Sequence, residues 1–237
     1  YMKKITGRSA FLSILKDEGI THLFGNPGTT ELPIMHALKE FPEITYILGL
    51  QESIVVAMAD GYSRATGNLS ACNVHVAPGL GNAMGAIYNA KFVGSPVIIT
   101  AGQQEQGHGL MEPMLYGPLV QMAEPLVKWA IEVTRLEDLP RILRRAAKIA
   151  LTPPTGPVFI SLPGDILNTE TEFSMACSAA TRWIVCITIL NSEKNNIETY
   201  KSELKNEPIL KHSITTKNIP VIGIYKNYLD YSNKLKN

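Results

Sequence analysis

Short apolar runs alternate with longer mixed stretches along the first two-thirds of the chain. Residues 21–24, 45–48, 70–76, 96–100 and 158–161 read as buried strands. Between them, stretches near 31–40, 52–65, 81–92 and 136–150 read as helices. The helical period is plain in RLEDLPRILRRAAKIAL, where Leu139, Ile142, Leu143, Ala146, Ala147 and Ala150 fall on one face. The opening segment turns amphipathic after two lysines, with Phe11, Leu12, Leu15 and Ile20 on one side, and reads as a helix of the fold and not as a signal peptide. Short apolar strands separated by helices imply an α/β fold: a doubly wound, mainly parallel sheet of about six strands with helices on both faces. In such sheets ligands meet the loops at the carboxyl ends of the strands.

The chain has 237 residues, 45% of them hydrophobic, enough for one substantial core or one domain with an extension. A net charge of +1 gives no reason to expect capture of nucleic acid or of an acidic membrane surface. No apolar run approaches the roughly 20 residues of a membrane helix. Cys72, Cys177 and Cys186 are widely spaced and form no C-x-x-C pair, which argues against a disulfide framework or structural zinc and points to the cytoplasm. Composition shifts near residues 165–180: of 18 glycines only Gly223 lies beyond Gly164, and no arginine follows Arg182. Residues 1–168 therefore read as one domain and 169–237 as a tail, either a linker or an incomplete or foreign start of a further domain. In that tail IPVIGIY reads as one strand and IETYKSELKN as one helix.

The loops after the strands carry the candidate chemistry. In GNPGTTELP, Gly25, Pro27 and Gly28 make a tight turn, and Thr30 is placed to cap a helix opening with Glu31 and Pro33. An ordinary capped loop and a close backbone approach to a ligand, with the Thr29 hydroxyl beside it, both fit. NVHVAPGLGNAMG departs from the dinucleotide fingerprint, because Gly79 and Gly81 match its first two glycines while Met84 stands where the third belongs; a nicotinamide site is disfavoured. Gly81, Ala83, Gly85 and Ala86 would give this helix a thin surface for something flat. His75 ends an apolar strand, a place where a core histidine is the ordinary finding. Glu52 stands where a strand gives way to a helix. A first-turn acid favours the helix dipole by roughly 0.3–1 kcal/mol, which accounts for most such residues. The sequence that follows it, SIVVAMADGYSRA, is apolar enough to predict a largely buried helix, so that this carboxylate needs a partner.

FGNPGTTELP, LGLQESIVVAMADGYSRATG, NVHVAPGLGNAMGAIYNA, SPVIITAGQQ and PTGPVFISLPGDIL follow in order over roughly residues 5–168. Together they resemble the N-terminal pyrimidine-binding domain of thiamine-diphosphate-dependent enzymes, nearest in kind to the benzoylformate decarboxylase and acetolactate synthase group. The resemblance implies thiamine diphosphate as cofactor and Glu52 as the acid that hydrogen-bonds N1′ of its aminopyrimidine. It places Pro27, Gly28, Gly79 and Asn82 near the pyrimidine, His75 as a proton relay, and Thr29 and Gln104 beside the substrate. Acetolactate synthases lack a histidine in the matching strand, so His75 favours a decarboxylase of a small 2-keto acid over a carboligase. A subunit of a split, two-chain decarboxylase is a further alternative, whereas a non-catalytic subunit predicts damage at Glu52, which is intact. Family members bind magnesium and the diphosphate through a separate domain with a Gly-Asp-Gly element, which this sequence lacks. No residue here is therefore expected to ligate a metal. The expected partner is the diphosphate-binding domain of another chain or of a full-length protein, in a homo-dimer or tetramer, and this chain alone is expected to be inactive.

Overall fold

The computed structural model describes residues 3–173. Strands and helices alternate in the order β1 (Lys3–Thr6), α1 (Gly7–Asp17), β2 (His22–Gly25), α2 (Leu32–Ala37), β3 (Thr45–Leu48), α3 (Glu52–Thr66), β4 (Ser70–Val74), α4 (Val76–Val93), β5 (Val97–Gln103), α5 (Leu119–Ala123), β6 (Ala130–Glu132), α6 (Leu139–Leu151), β7 (Val158–Pro163), α7 (Gly164–Asn168) and β8 (Glu170–Phe173). Six strands form a wholly parallel sheet in the order β3-β2-β4-β5-β7-β6. The apolar runs 21–24, 45–48, 70–76, 96–100 and 158–161 all hold a strand of this sheet. The sixth, β6, is a short edge strand whose three residues are all half-buried, so it lacks the continuous apolar run that marks the others. β1 pairs with β8 in a separate antiparallel ribbon.

The two-residue period of a strand divides the core in two. Leu23, Ala71, Ile98 and Val158 point to one side, where they meet Phe11, Leu12 and Leu15 of α1 and Leu139 and Leu143 of α6. Their neighbours Phe24, Cys72, Ile99 and Phe159 point to the other, against Val55, Val56 and Ala59 of α3 and Leu80 and Ile87 of α4. Central strands β4, β5 and β7 are buried throughout, as expected where helices cover both faces. The stripe read from α6 is confirmed: Leu139, Leu143, Ala146, Ala147 and Ala150 are buried, with Ile142 packed at the margin.

Helix α3 departs from expectation. Val55, Val56, Ala59 and Ser63 are buried, but Leu50 just before the helix and Ile54 within it are exposed at 85% and 52%. Its apolar residues occupy more than one face, and the sheet covers only one. Gln51 caps this helix, its Oε1 accepting the N–H of Ser53 at 2.8 Å and of Ile54 at 3.3 Å. Gly67, at φ +70, ends it in the left-handed conformation that glycine adopts without strain. Cys72 is buried. Cys177, Cys186 and the two tail elements lie outside the described residues. Among the described residues no helix is long and apolar enough to cross a membrane.

The connections diverge at one point of the sheet. From β2 the chain leads to β3 on one side, and from its neighbour β4 it leads to β5 on the other. The loop after β2 and the first turn of α4 therefore flank the crevice where open α/β sheets bind ligands.

Candidate active site

Glu52 begins α3 and is 6% exposed. Its two oxygens are held separately. Asn26 donates from Nδ2 to Oε1 at 3.1 Å, and Asn82 donates from Nδ2 to Oε2 at 3.1 Å. Asn26 sits on the loop after β2, where its N–H reaches the Asn73 carbonyl at 3.3 Å, so the clamp draws on three chain segments. Gly79 completes it: a Cβ there would stand 3.1 Å from Glu52 Oε1. The carboxylate thus packs directly against bare helix backbone, where any side chain would crowd it. Helix α4 starts at Val76, well before the expected position near residue 81, which puts Gly79 inside its first turns. Of the thin surface expected further along, Gly81 and Gly85 lie open, Ala83 is buried in the core and Ala86 is half-buried.

His75 ends up beside this clamp through both segments that build it. A Cβ on Gly28 would come 2.2 Å from the His75 ring, so the loop that presents Asn26 to Glu52 presses Gly28 on His75 two residues later. On the other side the His75 carbonyl accepts the Gly79 N–H at 2.7 Å, one helical turn below the glycine that faces Glu52. His75 is the residue before α4, not the last of the strand, and Val76 after it has φ +40. A buried β-branched residue in that region carries strain of about 1–3 kcal/mol, of the kind that clusters at functional sites. Pro27 lies between Asn26 and Gly28 and is half-buried.

In the sequence Glu31 shows only as part of a helix opening. It is fully buried, and its oxygens take four contacts: Gly28 N–H at 2.9 Å, Gly102 N–H at 2.8 Å, the Thr30 hydroxyl at 2.7 Å and His75 Nδ1 at 2.7 Å. Glu31, not Thr30, closes the turn. Asn26 likewise carried no signal beyond the commonness of Asn in turns. Beneath them the Tyr46 hydroxyl is buried against Gly25 and has no hydrogen-bond partner among the described residues. Burial first, then the negative charge of Glu31, pushes its phenol above the ordinary range.

Thr29 and Gln104 are brought together elsewhere. They line a cavity of about 220 Å³ with Thr30, Pro33, Gln103 and His108. Gln104 is placed by its own N–H, which donates to Gln103 Oε1 at 2.9 Å. Neither Glu52 nor His75 lines this cavity, though Thr30 joins it to the Glu31–His75 cluster. Its volume is below the roughly 300–1,000 Å³ of small-molecule sites. Among the described residues no group of acids, histidines and cysteines is arranged to hold a metal.

Comparison with known proteins identifies the family of the domain. Residues 5–116 match the family model of the thiamine pyrophosphate enzyme, N-terminal TPP binding domain. The chain is 47% identical over 162 residues to benzoylformate decarboxylase of Pseudomonas aeruginosa, covering 68% of this chain and 30% of that protein. It is 33% identical over 172 residues to the acetolactate synthase large subunit of Haemophilus influenzae, covering 73% of this chain and 30% of that one. Among solved structures, the thiamine diphosphate-dependent 4-hydroxybenzoylformate decarboxylase of Rhodococcus jostii RHA1 superposes with a TM-score of 0.68 at 40% identity, covering 74% of this chain and 33% of that one. The matched stretch thus spans about a third of the length of such relatives. Residues 5–116, and with them the Glu52 clamp and His75, belong to the N-terminal cofactor-binding domain family of the thiamine-diphosphate-dependent enzymes.

Proposed function

We propose that this chain is the pyrimidine-binding part of a thiamine-diphosphate-dependent 2-keto acid decarboxylase of the benzoylformate decarboxylase kind, with Glu52 as its working carboxylate. The observation that carries this reading is the Glu52 clamp: a buried acid, oriented by two amides, facing backbone at Gly79. A ring nitrogen that can share a proton is a natural partner for a buried carboxylate held in this way. When bound, thiamine diphosphate supplies the carbon nucleophile and the electron sink for cleavage next to a carbonyl.

The chain's own residues do the rest. Glu52 holds or passes a proton at the pyrimidine nitrogen, an exchange that a glutamine of the same shape would not support. Asn26 and Asn82 keep its oxygens aimed, Gly79 lets the acid pack against the first turns of α4, and Pro27 and Gly28 shape the loop beside it. His75 moves protons to and from the substrate through Nε2, the ring nitrogen with no partner among the described residues. Thr29 and Gln104 offer neutral hydrogen-bonding groups toward the substrate carboxylate. The diphosphate and magnesium are held by a further domain, of another chain or of a longer protein, and the site is completed in a dimer or tetramer. A carboligase of the acetolactate synthase kind is the alternative, supported by the 33% identity to that subunit; His75 favours the decarboxylase.

The test is a chimera joining residues 1–168 to the remaining part of the Pseudomonas relative. The expected result is carbon dioxide release from benzoylformate, with Glu52→Gln reducing kcat by on the order of a hundredfold or more. A folded, cofactor-loaded chimera that is inactive, or one indifferent to Glu52→Gln, would overturn the proposal.

A further inference from the structure

Glu31 is fully buried, and among the described residues no lysine or arginine pairs with it. A carboxyl group enclosed in this way is tolerated only when its partners satisfy it. Three of those partners are unambiguous. The Gly28 and Gly102 N–H groups can only donate, and the single hydrogen of the Thr30 hydroxyl is directed to Oε1 at 2.7 Å. The fourth is His75 Nδ1, which lies 2.7 Å from Oε2 and 3.4 Å from the Thr30 oxygen. With Glu31 as a carboxylate, the form that three donors to its oxygens favour, Nδ1 faces two oxygens that are acceptors in its direction, and the contact requires a hydrogen on the nitrogen.

We infer that Glu31 is the positioning residue that fixes His75 as its Nδ1–H tautomer, leaving Nε2 as the ring's free basic nitrogen. The opposite tautomer would set Nδ1 as an acceptor against the carboxylate and place the hydrogen on Nε2, unable to take up a proton. Nε2 has no partner among the described residues, so the whole tautomeric preference comes from the Glu31 side. The backbone is committed to the same arrangement. A Cβ on Gly102 would lie 2.1 Å from Glu31 Oε1, and one on Gly28 would lie 2.2 Å from the imidazole. Glu31 thereby ties the loop after β2, the start of α4 and the end of β5 into one strut under the histidine. What Nε2 does rests on the proposed function; the tautomer rests on the geometry alone.

Long-range proton–nitrogen correlation of the imidazoles in the uniformly ¹⁵N-labelled chain reads the tautomer directly, without cofactor. The neutral His75 ring is expected to carry its hydrogen on Nδ1, whereas the exposed His108 serves as reference for the Nε2–H form that water favours. In Glu31→Gln the amide donates where the carboxylate accepted, and His75 should pass largely to Nε2–H. Thr30→Val, which removes only the long contact to Nδ1 and one donor to Oε1, should leave the tautomer in place. Should Glu31→Gln fail to fold, the wild-type and Thr30→Val spectra still decide. A wild-type His75 found as Nε2–H, or one unchanged in folded Glu31→Gln, would overturn the inference. The Nδ1–H tautomer together with an inactive chimera would instead sink the proposed function and leave this assignment standing.

Discussion

Gly79 and Glu52 meet so closely that a Cβ on the glycine would lie 3.1 Å from Oε1 and 3.3 Å from Cγ of the acid. The glycine sits inside a helix, where alanine is the better residue by roughly 0.5–1 kcal/mol. The close approach of Glu52, which a side chain would crowd, accounts for a glycine here. Gly79→Ala should change thermal stability little, because the gain in helix propensity is offset as the clamped carboxylate is pushed a few tenths of an ångström off its two amides. Displacing the carboxylate should weaken cofactor binding in the chimera by on the order of tenfold. Paired melting curves and calorimetric titrations with thiamine diphosphate and magnesium check both halves.

Two other glycines, Gly102 and Gly81, should respond in opposite directions. In buried β5, a Cβ on Gly102 would fall 2.1 Å from Glu31 Oε1 and 2.4 Å from the Thr30 hydroxyl, with the carboxylate pinned by its other contacts. Gly102→Ala should destabilise the domain by about 1–3 kcal/mol or more. Gly81 is exposed on α4 with nothing near its would-be Cβ, and Gly81→Ala should stabilise by roughly 0.5–1 kcal/mol. Urea unfolding midpoints of the two variants make the comparison.

Alkaline pH should weaken the fold through two buried groups. Burial pushes the Cys72 thiol up, and burial with the Glu31 charge pushes the Tyr46 phenol up. Both are raised above their unfolded values, so their contribution is fully present below the ordinary ranges of a thiol, about 8.5, and a phenol, about 10. It is lost as pH rises further, because the unfolded chain ionises first, at up to about 1.4 kcal/mol per pH unit for each group. Tyr46→Phe should flatten the upper part of this loss. It should be neutral or stabilising at pH 7, since the hydroxyl it removes is buried with no partner among the described residues. Unfolding curves from pH 7 to about 10.5 would show it, and a flat wild-type profile would contradict it.

Much of the layout was legible because apolar periodicity is read locally. The five runs that became β2, β3, β4, β5 and β7, and the stripe on α6, owe their positions to burial that each segment shows on its own. The short edge strand β6 and the β1–β8 ribbon did not show, because few of their side chains need covering. The exposure of Ile54 does not show in the sequence for a related reason: an apolar helix of mixed faces says nothing about how many of them the sheet can cover. At the site, Glu52 stood out by its place before an apolar helix. Glu31 and Asn26 did not, since an acid after GNPGTT and an asparagine in a turn have ordinary local explanations. Their roles come from contacts with Gly102 and Glu52, 71 and 26 residues away, which only the folded sheet brings within reach.

The most direct test of the central claim, that Glu52 faces the cofactor's pyrimidine, uses the ring without its diphosphate. Titrating the ¹⁵N,¹³C-labelled chain with 4-amino-5-hydroxymethyl-2-methylpyrimidine, followed by NMR, detects even millimolar binding. Shifts are expected to gather at Asn26, Glu52, Gly79 and Asn82, and to be lost in a folded Glu52→Gln variant. Shifts confined to the cavity around Thr29 and Gln104, or unchanged by Glu52→Gln, would contradict that claim.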